Sequence, residues 1–234
     1  MKRLLKKYWL LFILLIVSIT FFYFHLYRYL TIDALIDYRL LIKNWAYTHY
    51  LISIGLYILT FTVLIACGIP CATFLTLLGG FLFGTIAVLY AIFSTTTGGL
   101  ILYFTVRTAF GEHLASTSMR WVKKIEQGFK ENAFNYLLTL RLVPIFPCWL
   151  SNISAGILNI PITTFLAATI IGIFPSTLIY TLVGRSFDKI LAEQNLDLLN
   201  FMLTPSILLP LLGLAILSLV PVVYKNIKKR NKNG

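Results

Sequence analysis

Charged side chains are scarce in this chain of 234 residues. They make up 12% of the sequence and only 8 are acidic, while hydrophobic residues make up 59%. A soluble domain carries about 25% charged and roughly 45–50% apolar residues, so the composition excludes a water-soluble fold. The apolar segments follow one another without a polar linker, which predicts a single membrane-embedded unit.

Cysteine and histidine are equally scarce, with three of each. An odd number of cysteines in apolar surroundings argues against a disulfide framework, so Cys67, Cys71 and Cys148 are interpreted as packing residues. The histidines lie far apart, and no carboxylates stand near them at catalytic or metal-ligand spacing. The sequence therefore predicts neither an enzyme nor a bound metal or other cofactor.

Basic residues give the chain a formal net charge of +12. They gather at the ends of apolar runs, within residues 2–7 before the first run and 225–232 after the last. This placement is typical of membrane orientation and of attraction to anionic headgroups, and it argues against nucleic acid as a partner. Both termini and the basic loop 107–131 are predicted to be cytoplasmic.

The hydrophobic pattern divides the chain into three parts. They are an N-terminal anchor (8–27) with an amphipathic connector in residues 1–48, a core in 49–187, and a last span (203–224) with the basic tail in 188–234. A bilayer crossing takes about 20 apolar residues. The uncharged stretch between Lys43 and Arg107 therefore has room for one or three crossings, and the sequence leaves both open.

An internal repeat is visible when the chain is compared with itself at a shift of 77 residues. The shift aligns four pairs: Pro70 with Pro147, Cys71 with Cys148, Gly79 with Gly156, and Tyr103 with Tyr180. Few positions match, so chance similarity is an open alternative. In both copies a short segment containing proline and glycine precedes a full span, and paired broken segments of this kind are typical of transporter sites at the bilayer midplane.

Helix-breaking residues at membrane depth form two groups. They are Pro70, Gly79, Gly80 and Gly84 in the first half, and Pro144, Pro147, Gly156 and Pro161 in the second. Irregular backbone survives in hydrocarbon only where protein or a wet cavity satisfies its polar groups. The pairing favours a cavity between the halves, and tight glycine packing of helices is the alternative.

Arg141 is the only formal charge between residues 132 and 184. A guanidinium that faces lipid costs at least ~2.5–3.5 kcal/mol, so Arg141 needs a partner or water. The candidates are carbonyl groups near Pro144 and Pro147, the amide of Asn152, and a ligand phosphate, with which arginine forms two parallel charge-assisted hydrogen bonds. Alternatively, the side chain lies at the end of a hairpin and reaches water.

Four further residues are candidates for a substrate path. Asn152, among apolar residues, either clamps a broken helix or binds ligand. Arg107 ends a span and is either an interfacial anchor or a ligand contact. Tyr103 and Tyr180 either line the path or belong to an interfacial aromatic belt.

Two stretches resemble the DedA superfamily, also called SNARE-associated or VTT-domain proteins. The first stretch contains Gly68-Ile69-Pro70, Leu78-Gly79-Gly80-Phe81-Leu82-Phe83-Gly84 and Tyr103-Phe104-Thr105-Val106-Arg107. The second contains Arg141-Leu142-Val143-Pro144-Ile145-Phe146-Pro147, Asn152, Gly156, Gly172-Ile173-Phe174-Pro175 and Gly184. The resemblance covers about residues 50–187.

The resemblance implies an all-α, polytopic membrane protein with two opposed re-entrant hairpins in an inverted-repeat arrangement. The residues implied for the first hairpin are Pro70, Gly79, Gly80 and Gly84, and those for the second are Pro144, Pro147, Gly156, Gly172 and Pro175. It also implies lipid transport, because eukaryotic relatives are phospholipid scramblases of the endoplasmic reticulum and some bacterial ones are tied to polyprenyl-phosphate recycling.

One departure from the family pattern bears on mechanism. Bacterial members that are held to be proton-coupled carry acidic residues near the first hairpin, and residues 68–106 contain none. We therefore expect energy-independent phospholipid scrambling in a bacterial cytoplasmic membrane, with Arg141, Asn152, Arg107, Tyr103 and Tyr180 along the path. Ion-coupled transport of polyprenyl phosphate or a small anion, and a scaffold role, are the alternatives, and homo-oligomerisation is left open.

Overall fold

The computed structural model describes residues 2–25, 28, 32–114, 132–142 and 147–192. These residues form eight α-helices and no strand. The helices are α1 (Lys2–Tyr23), α2 (Ile32–Thr48), α3 (Tyr50–Ala66), α4 (Ala72–Phe83), α5 (Ala87–Leu114), α6 (132–142), α7 (Cys148–Ile157) and α8 (Ile162–Ala192). The predicted all-α membrane fold is thus confirmed, while Pro144, the loop after α5, the last span and the basic tail lie outside the described residues.

Within the described residues, two helical stretches are long and apolar enough to cross a membrane, Ala72–Ala109 and Ile162–Ser186. Helices suit such a sequence because they satisfy every backbone polar group within the segment. A third stretch qualifies only as a bent pair, Leu40–Thr48 with Tyr50–Ala66, at an angle of 115°. The apolar part of α1, Trp9–Tyr23, is shorter than the roughly 20 residues that a crossing takes.

Helix α3 ends in a Schellman motif. Gly68 has a φ of +73°, a conformation that glycine adopts without steric cost. The Ile69 N–H donates to the Leu64 carbonyl and the Gly68 N–H donates to the Ile65 carbonyl, both at 3.0 Å, which satisfies two carbonyl groups at the helix end. Pro70 follows, and the chain turns into α4.

Helix α7 ends in the same way at a different residue type. Asn159 has a φ of +51°, and the Ile160 N–H donates to the Ala155 carbonyl at 3.1 Å. Asparagine is the usual substitute for glycine in this cap. Pro161 follows and α8 begins directly after it, so a proline lies in both junctions, between α3 and α4 and between α7 and α8.

The short helix of each half packs on the long helix of the other half. Helix α4 contacts α8, and α7 contacts α5. Gly80 of α4 lies against the Thr181 carbonyl oxygen, and a Cβ added at Gly156 of α7 would lie 2.6 Å from the Tyr103 carbonyl oxygen. This reciprocal packing agrees with an internal repeat, while the re-entrant course of the two short helices stays a prediction.

The residues proposed to shape the hairpins occupy different positions in the helices. Pro70 and Pro147 precede α4 and α7, Gly79 and Gly80 lie within α4, Gly84 ends α4 with a φ of +66°, and Gly156 lies within α7. Gly172 and Pro175 lie inside α8, which continues through both. Some glycines in this protein therefore end a helix, and others lie within helices and allow them to pack closely.

Two hydrophobic clusters form the core. The first joins α1, α3, α4 and α5 around Tyr57, Phe61, Leu75 and Phe83. The second joins α5, α6, α7 and α8 around Tyr103, Leu137, Ala155 and Phe165. Because α5 contributes to both, it connects the two halves of the fold.

Candidate functional site

Arg141 lies beside Phe165 of the second cluster and is only 6% exposed. Its Nη2 donates to Asn152 Oδ1 at 2.5 Å and to Thr169 Oγ1 at 3.1 Å. The three side chains come from α6, α7 and α8. Of the partners that the sequence suggested for Arg141, the structure shows Asn152 and adds Thr169, while the carbonyl groups near Pro144 lie outside the described residues.

The guanidinium is only partly satisfied by these contacts. Arg141 Nε and Nη1, and Asn152 Nδ2, have no hydrogen-bond partner within the described part of the chain. The thiol of Cys148 lies beside the guanidinium, but sulfur is a weak acceptor. A buried donor without an acceptor costs about 1–3 kcal/mol, and more for a charged group, so this arrangement favours an additional acceptor.

Two glycines allow the helices to meet at this point. A Cβ added at Gly172 of α8 would lie 2.5 Å from the Cβ of Arg141, and one added at Gly99 of α5 would lie 3.1 Å from Asn152 Oδ1. Side chains at either position would displace the polar residues. The glycine at 172 therefore places α8 close enough for Thr169 to reach Arg141.

Two aromatic rings continue from the arginine towards α5. The guanidinium carbon of Arg141 lies 5.7 Å from the centroid of the Phe165 ring, within the range of a cation–π contact. Phe165 in turn stacks on Tyr103, with centroids 5.0 Å apart and an interplanar angle of 27°. Both aromatic side chains are fully buried.

Tyr103 connects this stack to a second arginine. Its hydroxyl donates to the Ile160 carbonyl at 2.6 Å and accepts from Arg107 Nη1 at 2.7 Å. Arg107, one helical turn further along α5, is exposed. The result is a continuous line of contacts from exposed Arg107, through Tyr103 and Phe165, to buried Arg141.

The structure therefore brings together four of the five predicted substrate residues and separates the fifth. Tyr180 lies on α8 eleven residues after Thr169, about three helical turns away, and is half-buried. Sequence reasoning missed Thr169 and Phe165. The only feature of the sequence that pointed to Thr169 was its position among apolar residues of a span. Threonine is common there because it serves helix packing, so this position did not predict a contact with Arg141.

No cluster of three or more potential metal ligands occurs among the residues that the structure describes. The site is instead an arginine, an amide and a hydroxyl in apolar surroundings. Such a donor-rich group suits an anion.

The sequence is similar to those of proteins in a known family. The sequence model of the VTT domain matches residues 69–186, about half of the chain. Transmembrane protein 41B of Xenopus tropicalis is 25% identical over 189 residues, which cover 78% of this chain and 66% of that protein. The transmembrane protein 41 homolog of Caenorhabditis elegans is 27% identical over 173 residues, 72% of this chain and 68% of that protein.

A third relative, the transmembrane protein 41 homolog of Dictyostelium discoideum, is 29% identical over 200 residues, 82% of this chain and 57% of that protein. The chain thus spans about two thirds or less of the length of these relatives. No solved structure matches it.

Proposed function

This chain belongs to the VTT-domain family, and on that premise we propose that it is a passive phospholipid transporter in which the lipid headgroup crosses the bilayer core past Arg141. The residues that carry the proposal are those of the described site. Arg141 attracts the phosphate, Asn152 and Thr169 orient the guanidinium, and exposed Arg107 provides the first contact.

The single observation behind this proposal is the incomplete pairing of a buried cation. Arg141 is 6% exposed, and no carboxylate contacts it in the part of the chain that the structure describes. A charge in low dielectric is costly unless it is paired and hydrogen-bonded. A lipid phosphate supplies both the negative charge and the acceptor oxygens that Nε and Nη1 do not find among the described residues.

Passive rather than coupled transport follows from the distribution of acidic residues. The sequence has no Asp or Glu between Asp37 and Glu112, or between Glu131 and Asp188. Proton-coupled transporters use ionisable side chains within the membrane as relays. Because arginine stays protonated, the site offers phosphate affinity without a proton relay, and lipid moves down its own gradient with no bond made or broken.

The basic N-terminal residues bear on the orientation of the protein in its membrane. Basic residues within positions 2–7 precede the apolar part of α1, and such residues are enriched on the cytoplasmic side of membranes. We place the protein in the cytoplasmic membrane of a bacterium with its N-terminus inside. The ligand is a lipid of that membrane.

Reconstitution into liposomes tests the activity. Vesicles contain a phospholipid with a fluorescent headgroup, and a membrane-impermeant quencher is added outside. In empty vesicles only the outer-leaflet label is quenched, whereas protein-containing vesicles are expected to lose nearly all fluorescence at the same rate with and without a pH or sodium gradient.

Two outcomes contradict the proposal in different ways. If quenching with protein equals that of empty vesicles, phospholipid scrambling is rejected. If quenching requires a gradient, ion-coupled transport replaces passive transport.

A further inference from the structure

A cavity of about 560 Å³ lies between α1, α5, α7 and the end of α3. Nearly all of its lining is apolar. The side chains include Leu11, Leu14 and Leu15 from α1, Leu102 from α5, and Trp149 and Ile153 from α7. The cavity lies beside the polar site, on another face of the same two helices α5 and α7.

The chemistry of the lining decides what can fill this cavity. Protein interiors are close-packed and hold few voids larger than a water molecule. Water gains no hydrogen bonds from leucine and isoleucine side chains, and apolar cavities stay dry. Since Leu15 and Trp149 at the lining are 48% and 36% exposed, the cavity opens to the surroundings of membrane helices, which are lipid hydrocarbon.

A hydrogen bond joins two of the elements that line the cavity, α1 and the end of α3. Ser18 of α1 donates from Oγ to the Cys67 carbonyl at the end of α3 at 2.8 Å, as well as to the Leu14 carbonyl at 2.9 Å. Hydrogen bonds between helices in a membrane contribute about 0.6 kcal/mol on average. This contact joins α1 to the end of α3 at the lining of the cavity.

The cavity and the polar site share neighbouring residues. Ile153 follows Asn152 on α7, and Leu102 precedes Tyr103 on α5. Successive helical residues point about 100° apart, so each helix presents an apolar side chain to the cavity and a polar one to the site. A phospholipid is divided in the same way, into an apolar acyl chain and a polar phosphate.

We propose that this cavity binds one acyl chain of a membrane phospholipid. The inference rests on the proposed function for the class of lipid, and it extends that function because it places one acyl chain of the lipid inside the protein. The occupant is hydrocarbon of a membrane lipid.

Photocrosslinking of the full chain in liposomes tests the site. The probe is a phospholipid with a diazirine at the end of one acyl chain, and adducts are located by mass spectrometry of peptides. Adducts are expected on Leu102, Ile153 and the α1 wall. Adducts on Ile170 and Phe174 of α8, which are 43% and 48% exposed, serve as the internal standard for ordinary contact with bilayer lipid.

Cavity-filling variants provide the comparison. Ile153→Trp, and independently Leu15→Trp from the opposite wall, are expected to lose the cavity adducts while the standard adducts on α8 remain. Ile170→Trp, which adds the same side chain on α8 outside the cavity, is expected to keep the cavity adducts.

The proposal is overturned if wild-type protein shows no cavity adducts above the α8 standard, because the cavity then holds no acyl chain. It is also overturned if both filling variants keep the adducts. Because crosslinking does not require scrambling, cavity adducts in a protein that does not scramble would reject the proposed function and leave the acyl-chain site standing.

Discussion

Arg141 on α6 and Asn152 on α7 form a hydrogen bond of 2.5 Å between Nη2 and Oδ1 in the interior of the protein. An amide accepts this bond without neutralising the arginine. The guanidinium therefore keeps its full positive charge and, within the described residues, keeps N–H groups on Nε and Nη1 without an acceptor. This combination suits transient binding of an anion better than permanent pairing.

Replacing the amide by a carboxylate tests that interpretation. Asn152→Asp is expected to fold and to transport phospholipid much more slowly, because a fixed carboxylate neutralises Arg141 and competes with phosphate. Asn152→Leu is the matched control for stability and should lower the free energy of unfolding by about 1–3 kcal/mol, since it removes the acceptor of a buried donor. Wild-type transport rates in Asn152→Asp would contradict the proposed role of the amide.

Thr169 contributes only a hydroxyl to Arg141. Thr169→Val keeps the shape and removes the acceptor, so we expect a loss of about 0.6 kcal/mol in stability, the average for hydrogen bonds between membrane helices, together with slower lipid transport. Thr169→Ser keeps the oxygen and should behave like wild type. Thermal unfolding in detergent and the liposome assay measure the two effects, and equal behaviour of the valine and serine variants would exclude a role for the hydroxyl.

Gly156 allows α7 to lie directly on α5. Gly156→Ala places a Cβ 2.6 Å from the Tyr103 carbonyl oxygen, and overpacking of this kind costs about 1–3 kcal/mol. Gly55→Ala is the control, because nothing lies within 4 Å of its added Cβ. The thermal midpoint should fall for the first variant and stay unchanged or rise for the second. Equal midpoints for the two variants would mean that α7 and α5 are not in close contact.

The sequence was sufficient for the helical membrane class and for singling out Arg141 as a charge in an apolar segment, but it left Asn152 as one of several possible partners. The contact between Tyr103 and Arg107 is also local, at a spacing of four residues in α5. Thr169 and Phe165 could not be found this way. Their role depends on how α8 packs on α6, which Gly172 controls and no local pattern reveals.

Tyr180 is a residue that the sequence predicted for the site and that the structure places away from it. The repeat paired it with Tyr103, yet the two tyrosines occupy different surroundings, since Tyr103 is fully buried and Tyr180 is half-buried on α8. Sequence similarity between the halves extends to helix order and not to individual contacts. A repeat can preserve backbone arrangement while each half acquires its own side-chain chemistry.

Tyr103 connects α5 to the turn before α8 through its hydroxyl. Tyr103→Phe removes the bonds to Ile160 and Arg107 and keeps the ring that stacks on Phe165, so we expect a loss of about 0.6–1.7 kcal/mol in stability. Tyr180→Phe is the matched control and should have a smaller effect. Thermal unfolding of the two variants in the same detergent makes the comparison, and a larger effect at Tyr180 would contradict the assignment.

The most direct test of the central claim is the lipid-exchange rate of Arg141→Ala in liposomes, beside Arg185→Ala, which removes the same charge from an exposed position bonded to Thr85. Both variants are first checked for a single monodisperse peak and for helical content. Hydrogen bonds to charged groups contribute about 1.5–3 kcal/mol, so exchange of the fluorescent phospholipid should slow by about tenfold or more in Arg141→Ala and change little in Arg185→Ala. If folded Arg141→Ala scrambles phospholipid at the wild-type rate, the headgroup does not pass this arginine and the proposed path is wrong.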